Sequence, residues 1–263
     1  MLPRGPAGVG RARAGRRTGT GPYTRPVSTL DPPGPMQHEP SFWWRTLSPI
    51  GALLGAFVIA ALIAVPLSVT PMGDDGLLTV VQFVSSLLIL GFGLLVLRRL
   101  PALDRRRALA PKGGLAASVG LGLAVGVGMV VLSIAIIGIG IAIDSGLEEE
   151  LEDIALEFEP VVWQTTVLVI ALTVLAPLGE ELLFRVLLLR ALVRRMGFWK
   201  AAVLSGILFA AAHPDGYLLW PRALALVVSG IALAWIYRER GYPAAVAAHA
   251  TLNGIAAISV ATA

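Results

Sequence analysis

The chain contains no cysteine. Disulfides, thiolate metal sites and a cysteine nucleophile are therefore excluded. Charge is also scarce: only 14% of the 263 residues are Asp, Glu, Lys or Arg, against roughly 25% in a soluble domain. Histidine is rarer still, with three copies in the whole sequence. What remains is apolar, with 56% hydrophobic residues and a mean hydropathy of +0.78. Such a chain is solvated mostly by lipid. Its length divides naturally into helices of about 20 residues, each crossing a hydrocarbon core of about 30 Å.

A net charge of +4 and a pI near 10 could suggest a nucleic-acid partner. The placement of the charges argues against one. Seven arginines sit in the first 45 residues, and most of the others lie in short loops between apolar runs. That is the distribution of a membrane protein with its basic loops inside. The expected partner is the lipid bilayer, and nothing in the sequence specifies an oligomer.

Residues 1–40 are rich in Gly, Pro and Arg and have no apolar period. They read as a disordered cytoplasmic tail without a signal-peptide core, and Met36 is a candidate alternative start. Phe42, Trp43, Trp44 and Arg45 read as an interfacial anchor. Residues 41–263 form the expected membrane domain. Apolar segments occupy about 48–70, 77–97, 114–143, 161–193, 199–213, 221–237 and 243–261. The expected fold is all-α, a polytopic transmembrane helix bundle of about seven spans, with six to eight compatible. The fourth segment is too long for a straight crossing, so a tilt or a bend at Pro177-Leu178-Gly179 is expected. The acidic stretch 147–159 suits a surface helix. Gly51-x-x-x-Gly55 and Gly122-x-x-x-Gly126 are candidate sites of close helix packing.

The loops 98–112, 194–200 and 238–240 carry nearly all the remaining Lys and Arg. The loops 71–76 and 144–160 carry none, and 214–222 carries only Arg222. The alternation predicts a multi-pass protein of the cell membrane with a cytoplasmic N-terminus.

Spans one to three hold no ionisable residue at mid-depth. The second half differs. The fourth segment holds Glu180, Glu181 and Arg185, the fifth ends at His213, and the seventh holds His249 and Asn253. Charges inside a membrane cost several kcal/mol and normally face a bundle interior or a wet cavity. Glu181 and Arg185 are four residues apart and share a helix face. Glu180 is rotated from Glu181 by about 100°, so one carboxylate can pair with Arg185 while the other faces a cavity. Alone, Glu181 and Arg185 equally suit a buried structural ion pair. Phe209, four residues before His213, reads as packing. A Glu and two His without Cys suit a zinc site with an open position, although the three would have to meet from separate helices. At 1.5 Å per residue, Glu180 and His213 lie roughly 20 Å along their segments and His249 only about 9 Å. Meeting requires the turn Gly241-Tyr242-Pro243 to dip inward, or the fourth helix to tilt.

Glu180-Glu181-Leu-Leu-Phe-Arg185, Phe209-Ala-Ala-Ala-His213 and His249-Ala-Thr-Leu-Asn253 resemble the three ordered motifs of the CPBP family. These are the CAAX-processing and bacteriocin-processing intramembrane endopeptidases, also called the Abi family. The resemblance covers about residues 160–258, the implied catalytic core. It implies a conical helix bundle around an intramembrane cavity. It implies that Glu180 activates water, that Glu181 and Arg185 hold the site's charge and geometry, and that His213 and His249 bind metal or the activated water. Asn253 would stabilise the oxyanion. The implied metal set is His213, His249 and Glu180, with a divalent ion such as zinc. The expected function is an intramembrane metalloendopeptidase acting on membrane-associated or prenylated-type substrates, in a cavity open towards the cytoplasmic half. The alternative is a non-proteolytic membrane scaffold or immunity protein of the same fold. A proton-coupled transporter ranks last, for want of an inverted repeat.

Overall fold

The computed structural model describes residues 41–69, 73–149, 161–213 and 219–262. The expected tail and the candidate start Met36 lie outside them, as do the side chains of Phe42 and Trp43. The described residues form helices α1 (Phe42–Leu67), α2 (Gly73–Arg98), α3 (Ala102–Leu109), α4 (Leu115–Ile143), α5 (Val162–Met196), α6 (Phe198–Ala211), α7 (Trp220–Arg240) and α8 (Tyr242–Thr262). The acidic stretch is helical at residues 147–149, and 150–160 lie outside the described residues.

The all-α bundle is as expected, but the seven segments are not equivalent. Among the described residues, α1, α2, α4, α5 and α7 are long and apolar enough to cross a membrane. The segment read as 199–213 yields only the 14 residues of α6, about 21 Å of helix, too short for a straight crossing. Gly197, at φ +75°, starts it, and the chain leaves the helix before His213. The last segment becomes the 21-residue α8, which carries His249 and Asn253.

α5 is the central helix. Every residue from Leu182 to Leu189 is buried, whereas α1 and α4 turn large side chains such as Leu54, Leu62, Val131 and Ile134 outward. The expected bend at Pro177 takes another form. Ala171–Leu175 and Leu182–Leu189 are wound as π-helix, on either side of the α-helical Ala176–Glu181. Proline has no N–H and crowds the carbonyl four residues back. A wider turn just before Pro177 relieves that clash without ending the helix, and such widenings often mark functional positions.

α4 lies against α8 along one of the two glycine motifs. A Cβ on Gly122 would run into the Ala244 carbonyl oxygen, and one on Gly126 would come within 2.6 Å of the Ala248 carbonyl oxygen. Gly51 meets nothing within 4 Å, and Gly55 meets only Phe92 at 3.8 Å. The first motif is therefore not a close-packing site, while the second seats the helix that carries His249. At the basic end, the loop before α4 is latched to the turn between α7 and α8. The Lys112 N–H donates to the Arg240 carbonyl at 3.0 Å, Lys112 Nζ donates to the Arg238 carbonyl, and Tyr237 Oη donates to the Ala108 carbonyl at 3.1 Å. Gly241 sits there at φ +84°, hard against the Ala110 carbonyl, where no Cβ fits.

Gly126→Val is expected to lower stability by about 1–3 kcal/mol, the usual cost of overpacking, while Gly51→Ala leaves it nearly unchanged. Thermal unfolding of the two variants in detergent checks this.

Candidate active site

The site is assembled on α5, α6 and α8. Gly179 lets α2 pack directly beside Glu180, since a Cβ there would lie 2.8 Å from the Leu90 backbone nitrogen. Glu181 and Arg185 are both fully buried, with Arg185 Nε 3.0 Å from Glu181 Oε2. The contact is an ion pair by distance, with no aligned hydrogen bond between those two atoms. The other oxygen, Glu181 Oε1, is 3.0 Å from Nδ1 of His249. Arg185 Nη1 donates to Ser205 Oγ at 3.1 Å. Four buried polar side chains are thus joined in one chain, from Ser205 through Arg185 and Glu181 to His249.

Glu180 is directed elsewhere, as the helix geometry predicted. Its Oε2 is buried without a hydrogen-bond partner. It lies 3.7 Å from Nε2 of His213 and 3.9 Å from Nε2 of His249. The rings are oriented from behind. His213 Nδ1 is 2.8 Å from the Phe209 carbonyl, which only accepts, so Nδ1 carries the proton and donates. His249 Nδ1 faces the Glu181 carboxylate, which when ionised also only accepts. With Nδ1 engaged in each ring, it is Nε2 that faces Glu180, as a lone pair when the ring is neutral.

His249 reaches Glu180 despite its shallow position in the sequence. Tyr242 Oη donates to the Leu178 carbonyl at 2.8 Å, which places the start of α8 within one side chain of the residue two before Glu180. The start of α8 and the middle of α5 are therefore level. Asn253 Nδ2 donates to the Leu172 carbonyl, in the first π-helical stretch, at 3.0 Å. Its second N–H is left for the cavity that Asn253 lines.

All six residues read from the sequence are therefore brought to one place. Three contributors were missed. Ser205 precedes Phe209 and His213 at intervals of four on α6, and that shared face was the available signal. Tyr242 bore no such signal, because its partner is a backbone carbonyl on another helix. Phe209, read as packing, is buried and does pack. Its ring also separates the reacting groups, with centroids 4.7 Å from His213 and 5.5 Å from His249 and the Arg185 guanidinium 5.1 Å away.

Glu180, His213 and His249 stand at the head of a cavity of about 780 Å³. Its walls are otherwise mainly apolar, including Ile137, Leu168, Leu172 and Leu252, with Thr79, Gln82, Thr165, Arg222 and Asn253 as the polar members. The donor set fits a divalent cation by chemistry: three electron-pair donors converge, with no competing hydrogen-bond donor between them. Among the described residues, however, no group of three His, Asp or Glu side chains is drawn together tightly enough to hold a metal as it stands. Tetrahedral zinc ligands at 2.0–2.1 Å sit about 3.4 Å apart, so the observed 3.7 and 3.9 Å are a few tenths too wide.

Residues 162–255 match the family model described as type II CAAX prenyl endopeptidase Rce1-like. The matched stretch contains all three motifs, and the resemblance read from them holds. Residues 1–161 lie outside the match. Neither the curated proteins nor the solved structures give a match to this chain. For this Rce1-like core, the match supports a membrane-embedded endopeptidase in general.

Glu181→Gln is expected to loosen the orientation of His249 and lower activity about 10- to 100-fold, as loss of a carboxylate behind a functional histidine does elsewhere. Arg185→Met leaves Glu181 buried without its cation, which costs about 3–5 kcal/mol. Its signature is a fall in thermal stability in detergent larger than that of Glu181→Gln.

Proposed function

We propose that the chain is an intramembrane endopeptidase in which Glu180 activates the attacking water. The observation that carries this reading is the convergence of a buried, otherwise unpartnered Glu180 oxygen with two imidazole lone pairs. An ionised carboxylate there can take a proton from water as the oxygen attacks a peptide carbonyl, and can pass it to the leaving amine. Glu181 is occupied by Arg185 and His249, which leaves Glu180 as the base. The water donates one O–H to Glu180 and the other to the Nε2 lone pair of His213 or His249. Asn253 supplies its spare N–H to the oxyanion of the tetrahedral intermediate. The apolar cavity suits an extended segment of a membrane-embedded or lipid-modified substrate, which trades lipid for protein walls at little cost.

A divalent metal such as zinc belongs to the proposal, held by His213, His249 and Glu180. When bound, it would supply a lowered pKa for water and polarisation of the scissile carbonyl. The tautomers imposed by Phe209 and Glu181 support that role, because each aims an Nε2 lone pair at the same point.

Glu180→Gln keeps the side chain's size and removes the base. Cleavage is expected to fall about 10²- to 10⁴-fold with unchanged accumulation in membranes. Proteomics of membrane-derived peptides, comparing wild type with Glu180→Gln, reads both the activity and the substrate. An unchanged peptide set would remove Glu180 as the base and favour a non-proteolytic scaffold. Dialysis against a chelator followed by zinc readdition, with activity lost and then restored, tests the metal.

A further inference from the structure

α2 contributes no residue to the Glu180 site and lies outside the stretch that matches the family model. It nevertheless forms one wall of the cavity, through Leu78, Thr79 and Gln82. Thr79 and Gln82 are three residues apart and share a helix face. Polar side chains on a membrane helix need partners, because lipid supplies none.

The hydrogen bonds fix which way the Gln82 amide points. Ser85 and Ser86 each donate their hydroxyl to the Gln82 backbone carbonyl, at 3.0 and 2.8 Å. The single O–H of Ser86 is thereby engaged, so its oxygen can only accept from the Gln82 side chain. The group 3.2 Å from Ser86 Oγ is therefore the amide nitrogen. Among the described residues, this leaves the Gln82 Oε1 acceptor and a second N–H for the cavity that the side chain lines. One helical turn away, Thr79 is fully buried, and its Oγ1 has no hydrogen-bond partner among the described residues. One wall of a mainly apolar cavity thus holds three groups ready to bond: an acceptor, an N–H and a hydroxyl.

Their distance from the chemistry follows from packing. A Cβ on Gly179 would lie 2.8 Å from the Leu90 backbone nitrogen, so Leu90 marks the level of Glu180 on α2. Gln82 precedes Leu90 by eight residues, about 12 Å along the helix. An extended peptide advances roughly 3.3–3.6 Å per residue. A chain with its scissile bond at Glu180 and its length along the cavity passes Gln82 three to four residues away.

We propose that Gln82 and Thr79 form a subsite for the backbone of an extended peptide, three to four residues from the scissile bond. The place of that bond rests on the proteolytic reading of Glu180. In an extended chain the N–H and C=O of one residue point to the same side. The Gln82 amide carries the matching acceptor and donor, so it meets both at once, as a neighbouring strand would. Thr79 adds a hydroxyl for the peptide group beyond. Such a subsite reads backbone and not side chains. It takes a segment that is apolar and extended, and it rejects a helical one, whose N–H and C=O groups are already paired. The substrate class is therefore a protein segment that is unwound where it enters the cavity. A proline at the Gln82 position is disfavoured, because it lacks the N–H.

The test uses binding, in the full chain carrying Glu180→Gln, so that no cleavage intervenes. The probes are two dye-labelled apolar peptides of about twelve residues, long enough to span the cavity. One has amide bonds throughout, and the other has backbone esters at alternate positions, which keep the shape and remove N–H donors. Fluorescence anisotropy in detergent measures the affinities. The all-amide peptide is expected to bind about tenfold tighter than the ester peptide, the worth of a hydrogen bond. Gln82→Met and Thr79→Val nearly keep the side-chain shapes, and thermal unfolding checks that each variant is folded. Each is expected to weaken binding of the all-amide peptide and to shrink its preference over the ester. An unchanged preference in Gln82→Met, or no preference with Gln82 and Thr79 both present, would overturn the proposal. Cleavage of the all-amide peptide by the chain with Glu180 intact is read separately. Backbone pairing without cleavage would count against the proteolytic reading alone, and cleavage without backbone pairing against the subsite alone.

Discussion

The buried carboxylate of Glu181, held between Arg185 and His249, is the contact on which the rest of the site depends. It joins a helix in the centre of the bundle to one at its edge, at a depth where water cannot screen the charges. Ionised groups are tolerated there only when paired and hydrogen-bonded. Arg185 supplies the charge, Ser205 takes one guanidinium N–H, and His249 takes the remaining oxygen. Because Glu181 is so fully engaged, its neighbour Glu180 is left as a carboxylate with an unpartnered oxygen at the cavity head. Two adjacent residues of the same type are thus given opposite environments by one helical step.

The backbone around them is irregular where that is useful. π-Helical turns flank Ala176–Glu181, and carbonyls in and between them are used by side chains of α8. Asn253 takes Leu172 and Tyr242 takes Leu178. α8 is in turn pressed against α4 by Gly122 and Gly126. The histidine and the asparagine are therefore positioned by packing that begins far from the chemistry, on a helix with no ionisable residue of its own.

Much of this was legible beforehand because the bilayer punishes exceptions. An ionisable residue in an apolar run is conspicuous, and only three histidines had to be considered. The four-residue spacing of Glu181 and Arg185 is a local property of a helix, and their ion pair followed from it. The meeting of His249 with Glu180 was not legible, since counting residues put them at different depths. The contact of Tyr242 with the Leu178 carbonyl shows them level. Hydropathy likewise registers α6 as apolar without showing that its helix is only 14 residues long.

What the sequence by itself determined is the solvent, the helical architecture, and the six polar or ionisable residues set in the apolar segments of the second half. Each depends on composition or on contacts within one helical turn. Tertiary structure alone decided the partners of the two histidines, the contacts of Ser205 and Tyr242, and the place of the cavity below Glu180. Those depend on which carbonyl or carboxylate a neighbouring helix presents and on where packing leaves a void. Both are set by helix–helix approach distances, which no spacing along a single chain encodes.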